Sequence, residues 1–282
     1  MEKPAMTVTH CGNTEFHWGR RTYIMGIINM SPDSFSGDGL GTDTETVSRQ
    51  AARFIAEGAD ILDIGGESTR PNYRPISAEE EIRRVIPAIE RLAEEVSLPI
   101  SIDTGKATVA RRAVEAGASI INDIWGLKQD PWVAAVAAAA GVPFVFTSNQ
   151  RSQVCKSDIM TEISHDLKRG ITRLEKSGVS KENIIIDPGI GFGKSLAQNL
   201  EIIRRLAELK ALGKPILLGT SRKSVIGLVL DLPPEQRLEG TAATIAIGIA
   251  NGADIVRIHD VRQMARVCRM SDAIIRSNDG EY

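Results

Sequence analysis

Three hydrogen-bond-accepting residues each close a short apolar run: Asp103 after Ile100-Ser-Ile102, Asn122 after Ser119-Ile-Ile121, and Asp187 after Asn183-Ile-Ile-Ile186. None has a Lys or Arg beside it in the chain. A buried carboxylate is costly unless it is paired or hydrogen-bonded, and any one of these taken alone reads as a satisfied structural residue. Three such tips facing one axis point instead to recognition of a neutral, flat heterocycle rich in N–H donors. A 2-amino-4-oxo pyrimidine edge, as in pterin or guanine, fits, because a carboxylate accepts two parallel N–H bonds.

Cationic groups end two further runs. Gly219-Thr-Ser-Arg-Lys-Ser224 places Ser221, Arg222, Lys223 and Ser224 at a strand-to-helix turn. The Walker A spacing is missing, yet a helix start offers free N–H groups and a positive dipole end to a carboxylate or phosphate. Strand alternation sends Arg257 and His259 to one side, near where the final loops of a barrel often hold phosphate.

Three loops complete the set. Asn29-Met-Ser-Pro-Asp-Ser-Phe-Ser-Gly-Asp-Gly39 begins with a neutral amide oxygen suited to Mg²⁺, and its Phe35 reads either as a lid over a flat ligand or as an aromatic tucked against the rim. In Asp63-Ile-Gly-Gly-Glu-Ser-Thr-Arg-Pro71, the forked donors of Arg70 suit phosphate, while Asp63 lies within a strand and needs a buried partner. Asp187-Pro-Gly-Ile-Gly-Phe-Gly-Lys194 allows close backbone approach, with Phe192 able to pack on a ring.

The elements that must position these groups follow from the pattern. Eight apolar runs, beginning near Tyr23, Ile61, Ile100, Ser119, Val142, Asn183, Pro215 and Ile255, read as strands buried on both faces. Between them lie amphipathic helices predicted over 44–57, 78–95, 107–116, 131–140, 159–176, 196–212, 237–251 and 261–277. Glycines in Glu57-Gly-Ala-Asp60, Ala116-Gly-Ala-Ser119 and Asn251-Gly-Ala-Asp254 mark helix stops, and Ser77 with Glu80 marks a capping box. Polar tips on all eight strands favour a closed (β/α)₈ TIM barrel over an open doubly wound sheet, whose ligand groups would gather at one switch point. Residues 1–20 are expected to form a β-hairpin around Gly12-Asn13 that closes the barrel bottom, and 21–282 a single barrel domain.

Composition excludes other classes. With 282 residues, 42% hydrophobic, and a net charge of −2, the chain is long enough for one large α/β barrel or two modest domains and lacks the basic excess of a nucleic-acid binder. No apolar stretch is long enough to span a membrane, and Met1 to Thr9 lack the apolar core of a signal peptide. Cys11, Cys155 and Cys268 are odd in number and widely spaced, as expected of reduced thiols in a cytoplasmic protein.

In order and spacing, Asn29-Met-Ser-Pro-Asp-Ser-Phe-Ser, Asp63-Ile-Gly-Gly-Glu-Ser-Thr-Arg-Pro, Ser101-Ile-Asp-Thr, Ile121-Asn-Asp-Ile, Asp187-Pro-Gly-Ile-Gly-Phe-Gly-Lys, Ser221-Arg-Lys-Ser, Gly240-Thr-Ala-Ala-Thr and Arg257-Ile-His-Asp resemble the dihydropteroate synthase family. The resemblance runs from Ile24 to Val261. It implies condensation of 6-hydroxymethyl-7,8-dihydropterin diphosphate with p-aminobenzoate, release of pyrophosphate, Mg²⁺ as cofactor, and a homodimer. By that similarity Asp103, Asn122, Asp187 and Lys223 would hold the pterin, beside Ile124 and Gly219, with Arg257 across its face. Asn29, Arg70, Arg257 and His259 would hold the diphosphate and metal. Thr69, Pro71, Phe192 and Ser224 would shape the p-aminobenzoate site, with Ser221 and Arg222 in the same segment, and Phe35 and Asp38 would belong to a mobile first loop. The chemistry agrees: the amine is already nucleophilic, so the harder task is stabilising the departing pyrophosphate, and an SN1-like displacement is expected.

The chain departs from the family in two places. Thr147-Ser148 stand where Met-His is common, which leaves a thinner apolar wall for the ring, and Gly105 replaces an aromatic on what reads as the surface side of a helix start. Two other readings share parts of this pattern: a pterin-dependent methyltransferase serving a corrinoid, and a non-catalytic pterin-binding protein. The first has no use for the basic cluster of Ser221-Arg-Lys-Ser224, Arg257 and His259; the second would bind pterin without turnover.

Overall fold

The computed structural model describes residues 8–30, 43–68, 74–151 and 158–276. A hairpin comes first, β1 (Val8–Cys11) antiparallel to β2 (Thr14–His17), turning through Gly12 at φ 57°. Eight parallel strands follow: β3 (Tyr23–Asn29), β4 (Ile61–Gly65), β5 (Ile100–Asp103), β6 (Ile120–Asp123), β7 (Phe144–Thr147), β8 (Ile184–Asp187), β9 (Leu217–Leu218) and β10 (Ile255–Ile258). They pair in the order β8-β7-β6-β5-β4-β3-β10-β9, and a parallel bridge between Ile186 and Ile216 joins the two outer strands. The ring closes as expected of a (β/α)₈ barrel.

Helices α1 (Thr44–Glu57), α2 (Ala78–Glu95), α3 (Ala107–Glu115), α4 (Val133–Ala140), α5 (Ile159–Lys176), α6 (Leu196–Arg204), α7 (Ser224–Leu230), α8 (Leu238–Ala250) and α9 (Val261–Ile275) surround it. Gly58 ends α1 at φ 101°, its N–H donating to Ile55 O at 3.0 Å, the left-handed stop that the Glu57-Gly-Ala-Asp60 segment requires. Only half of the expected capping box forms at α2. Ser77 Oγ accepts from the Glu80 N–H, while the Glu80 carboxylate is drawn to Arg83 and Arg84.

Two helical expectations change. The stretch 196–212 is not one helix: α6 stops at Arg204, and Leu206–Leu212 forms a 3-10 turn. Leu206, Leu209 and Leu212 recur every third residue, and three residues per turn place all of them on one inward stripe. The helix start expected at Ser224 grows into a separate short helix, α7, so nine α-helices lie among the described residues.

Alternation along the strands sorts the core. Outward-facing Ile28, Leu62, Ile64, Ile102, Ile121, Phe146, Ile186, Leu218 and Val256 pack under the helices. Inward-facing Tyr23, Met25, Ile61, Ile120, Val145, Ile185, Leu217 and Ile255 form one apolar layer across the lower barrel, and Cys11, Phe16 and Trp18 of the hairpin segment join it from below. Phe16 stacks on Trp18 at 5.4 Å between centroids, and both meet Tyr23 edge-on. Trp18 Nε1 donates to Thr9 Oγ1 at 2.8 Å, and Thr9 donates onward to Glu182 O at 2.5 Å, so the buried indole is satisfied and the hairpin tied to the barrel wall.

The plug therefore behaves as core. Phe16→Ala is expected to cost about 3–5 kcal/mol in a urea unfolding titration, the range for truncating a buried aromatic. A loss under about 1 kcal/mol would show that the lower layer does not depend on the hairpin.

Candidate active site

Above the apolar layer the same inward positions become polar: Asp63 on β4, Ser101 and Asp103 on β5, Asn122 on β6, Thr147 on β7, Asp187 on β8 and Arg257 on β10. Strand register sets several of them side by side. Asp103 lies opposite Asn122 and Gly65, and Thr147 opposite Asp187. The expected convergence of distant tips is present.

Arg257 holds the centre. Its Nε donates to Asp63 Oδ2 at 2.6 Å and its Nη2 to Asp103 Oδ2 at 2.7 Å. The exposures run 0% for the Asp63 side chain, 10% for Asp103 and 19% for Arg257, so the cation sits above one wholly buried carboxylate and beside another nearer the mouth. Burial disfavours the Arg257 charge, but Asp63 and Asp103 outweigh it and hold the guanidinium above its ordinary range. Burial raises Asp103, opposed by Arg257 and reinforced by Asp63. Asp63, expected to need a buried partner, finds it on β10, the other neighbour of β3.

Asp63 also orients Asn122, whose Nδ2 donates to it at 3.3 and 3.5 Å. That fixes the amide, and Asn122 Oδ1 is left buried without a hydrogen-bond partner. The hydroxyls of Ser101 and Thr147 are likewise buried and unpartnered. Buried polar atoms are nearly always satisfied, so three open ones on the inner faces of consecutive strands mark a surface built to meet something polar. Thr147 thus brings an open hydroxyl to the wall where the sequence suggested only lost padding. Ser148 points the other way, donating to Asp166 at 2.9 Å behind the barrel.

On the far wall, Asp187 Oδ1 accepts the Gly189 N–H at 2.7 Å. Burial raises its carboxyl, with Lys223 opposing. Lys223 Nζ donates to Ile190 O at 2.6 Å and lies 4.6 Å from the centre of the Phe192 ring. Burial lowers this amine to about 8, against the pull of Asp187. A Cβ on Gly219 would stand 3.7 Å from Lys223 Nζ and 3.8 Å from Arg257 Cβ, so the glycine keeps the space between the two cations open. Arg151 covers Phe192 at 4.9 Å and Trp125 at 5.4 Å; neither Arg151 nor Trp125 was singled out by the sequence pattern.

At the rim, Ser221 Oγ lies 3.0 Å from His259 Nδ1 and accepts the His259 N–H at 3.2 Å, tying the β9 loop to the end of β10. Arg222 forms a two-pronged pair with Asp260. Ser224 is exposed at the first position of α7, and Asn29 is half-buried at the end of β3. Ile124 is buried, its carbonyl accepting from Asn149 Nδ2 at 2.9 Å. Gly105 is not on the surface: it is buried, and a Cβ there would meet the Trp125 ring at 2.6 Å, so Trp125 fills the space. Phe35, Asp38, Thr69, Arg70 and Pro71 lie outside the described residues. Glu67 is held by Lys106, which also reaches the buried Glu81 at 2.6 Å, a clamp scattered through the sequence with no local signal.

A family profile described as pterin binding enzyme matches residues 25–259. A dihydropteroate synthase of Clostridium beijerinckii is 52% identical over 94% of this chain and 98% of its own. The chain belongs to the dihydropteroate synthase family. Among solved structures, the dihydropteroate synthase of Clostridium difficile, crystallised in the presence of pteroic acid, superposes with a TM-score of 0.89 at 49% identity, covering 93% of this chain and 100% of that one. That of Xanthomonas albilineans, with 4-aminobenzoic acid, gives 0.90 at 38% identity over 97% and 100%. The chain is accordingly a transferase of folate biosynthesis, joining 6-hydroxymethyl-7,8-dihydropterin diphosphate to p-aminobenzoate to form 7,8-dihydropteroate and pyrophosphate.

Lys223 gives the polar wall a measurable signature. Followed by NMR of the labelled amine, it is expected to titrate with a midpoint of about 8, against about 10.4 for an unperturbed lysine. A midpoint near the ordinary value would mean that water reaches the ammonium freely.

Proposed function

We propose that the funnel carries out this condensation by a dissociative displacement, with ring recognition below and diphosphate release at the rim. One observation supports it above others: Asn122 Oδ1 is open, buried, and fixed by the pair that orders Arg257. In this reading Asn122 Oδ1 and the remaining oxygens of Asp103 and Asp187 accept the ring N–H groups of the pterin, and Lys223 donates to its acceptors. Ile124 and Gly219 line the same recess. Arg257, pinned by two carboxylates, lies across the ring face.

Loss of the diphosphate leaves positive charge at the pterin methylene, delocalised into the ring, and the carboxylates of Asp103 and Asp187 stabilise it. No general base is required, because the arylamine attacks with its own lone pair. The leaving diphosphate is met by Arg257, His259, Ser221 and Arg70. Phe192 walls the p-aminobenzoate site with Thr69 and Pro71, its carboxylate directed to the start of α7 at Ser224, where Lys223 supplies no side-chain cap; Arg222 braces that turn through Asp260. Phe35 and Asp38 are assigned to the substrate set through the family resemblance of their segment alone.

Mg²⁺ fits the described residues as a partly hydrated ion shared with the substrate. Among the described residues no group of three His, Cys, Asp or Glu side chains could cage a metal. Mg²⁺ keeps several waters and takes one or two protein oxygens plus substrate phosphates, and Asn29 at the mouth of β3 offers one such oxygen. Bound there, Mg²⁺ would neutralise charge on the leaving diphosphate.

A cytoplasmic location and a homodimer belong to the same proposal, and the thiols and the exposed apolar surface support them. Cys11 and Cys268 are free, and burial pushes them up to about 11 and about 12, as suits unreactive thiols of a cytoplasmic protein. No helix among the described residues is long and apolar enough to cross a membrane. Leu228 and Val229 of α7, Ile247 of α8, and Met270 and Ile274 of α9 are large, apolar and exposed on helices packed side by side. A patch of this kind is favourable only when covered, and the proposed cover is the same face of a second copy.

Pyrophosphate release decides the chemistry. With pterin diphosphate and Mg²⁺ alone, slow release is expected, accelerated when p-aminobenzoate is added and suppressed by chelation of the metal. Strict dependence on the amine would exclude the dissociative path. For the assembly, Ile274→Glu is expected to convert a dimer to a monomer by light scattering, and an unchanged mass would move the interface elsewhere.

A further inference from the structure

Lys194 ends the Gly-rich loop after β8, and the roles assigned above leave it without a task. Its Nζ donates to three carbonyls: Ser148 O at 2.7 Å, Gly189 O at 2.9 Å and Phe192 O at 3.3 Å. Burial pulls this amine down to about 7, against the pull of Asp187. When protonated it has three N–H donors and no acceptor, and the three carbonyls take all of them.

The acceptors come from two separate loops. Ser148 follows β7; Gly189 and Phe192 belong to the loop after β8. Gly189, Gly191 and Gly193 all have positive φ, at 74°, 81° and 74°, which lets the loop fold back on its own lysine. The approach is close: a Cβ on Gly189 would stand 2.2 Å from Ser148 O and 3.1 Å from Lys194 Nζ. Two further bonds stitch the same segments, Ser148 N–H to Asp187 O at 2.9 Å and Gln150 N–H to Phe192 O at 3.2 Å, and Phe192 N–H to Gly189 O at 3.1 Å closes the second loop on itself.

Two of the three carbonyls belong to residues tied to groups with roles in the proposed reaction. Gly189, held through its carbonyl, donates its own N–H to Asp187 Oδ1 at 2.7 Å. Phe192, held through its carbonyl, presents its ring to Lys223 and Arg151. We propose that Lys194 is a positioning residue, a single ammonium that sets the Asp187 carboxylate and the Phe192 ring in register with each other. The inference rests on the roles assigned above to those two residues: one end of the clip orders pterin recognition and the other orders the p-aminobenzoate wall.

Removing the amine takes away the side-chain donor shared by the three carbonyls, while Gly189 O and Phe192 O keep their backbone donors, and the tie from Lys194 to Ser148 O is lost. The test compares Lys194→Met, Lys194→Gln, Asp187→Asn and Phe192→Ala with the unaltered chain. Measured are calorimetric binding of 6-hydroxymethylpterin, KM for p-aminobenzoate, kcat at saturation and the thermal midpoint. Lys194→Met is expected to weaken ring binding and raise KM together, each about tenfold, with kcat changed less than about threefold. Lys194→Gln, which keeps two N–H donors, should fall between, and it serves alone if the methionine variant does not fold. A lowered thermal midpoint with ring binding and KM within about twofold of the unaltered chain would make Lys194 structural and overturn the proposal. If Asp187→Asn and Phe192→Ala weaken binding while the Lys194 variants do not, only the clip fails. If they leave binding unchanged, their assigned roles fail and the clip with them.

Discussion

One buried ion cluster governs the site: Arg257 suspended between Asp63 and Asp103. Desolvating three charges is expensive, and their attraction offsets that cost only when geometry and hydrogen bonds are good. Here the guanidinium uses two separate N–H groups on two strands, and Asp63 turns its remaining capacity to the Asn122 amide. A hydrophobic trio of similar volume would be easier to bury. It would leave no oriented acceptor on β6 and no cation at the mouth. The cluster serves specificity more than stability: it points each polar group in one direction before any ligand arrives, so little reorganisation is left to binding.

The second constraint is the division of the barrel into an apolar floor and a polar upper half. On β4 the change occurs between Ile61 and Asp63, on β6 between Ile120 and Asn122, on β8 between Ile185 and Asp187. Two residues of strand separate core from site in each case, because inward positions recur every second residue. The same strands thus carry stability at one end and chemistry at the other. Loops at the upper end can vary without disturbing the floor.

Much of this was legible in the chain. Continuous Ile, Leu and Val runs ending in Asp103, Asn122, Asp187 and Arg257 gave the strands, their parallel arrangement and their inward tips, because burial on both faces leaves an unmistakable composition. Helix stops at glycine were readable for the same local reason. What escaped was pairing between distant positions. Nothing near Asp63 announces that its partner lies at 257, and nothing near Lys194 announces Ser148 O. The outward turn of Ser148, the burial of Gly105 under Trp125, and the Glu67–Lys106–Glu81 clamp are likewise products of packing. Periodicity misled once, at 206–212, where a three-residue recurrence was read as a continuation of the preceding helix.

The hairpin at the barrel floor carries a consequence for traffic. With Phe16 and Trp18 stoppering one end, the cavity is a cul-de-sac, and whatever goes in must back out past the same rim. The side chains that admit a reactant also decide when a product departs. A substitution among Ser221, Arg222 or His259 therefore alters both directions of passage at once, and such a vestibule cannot be tuned for faster release without also loosening its hold on what comes next.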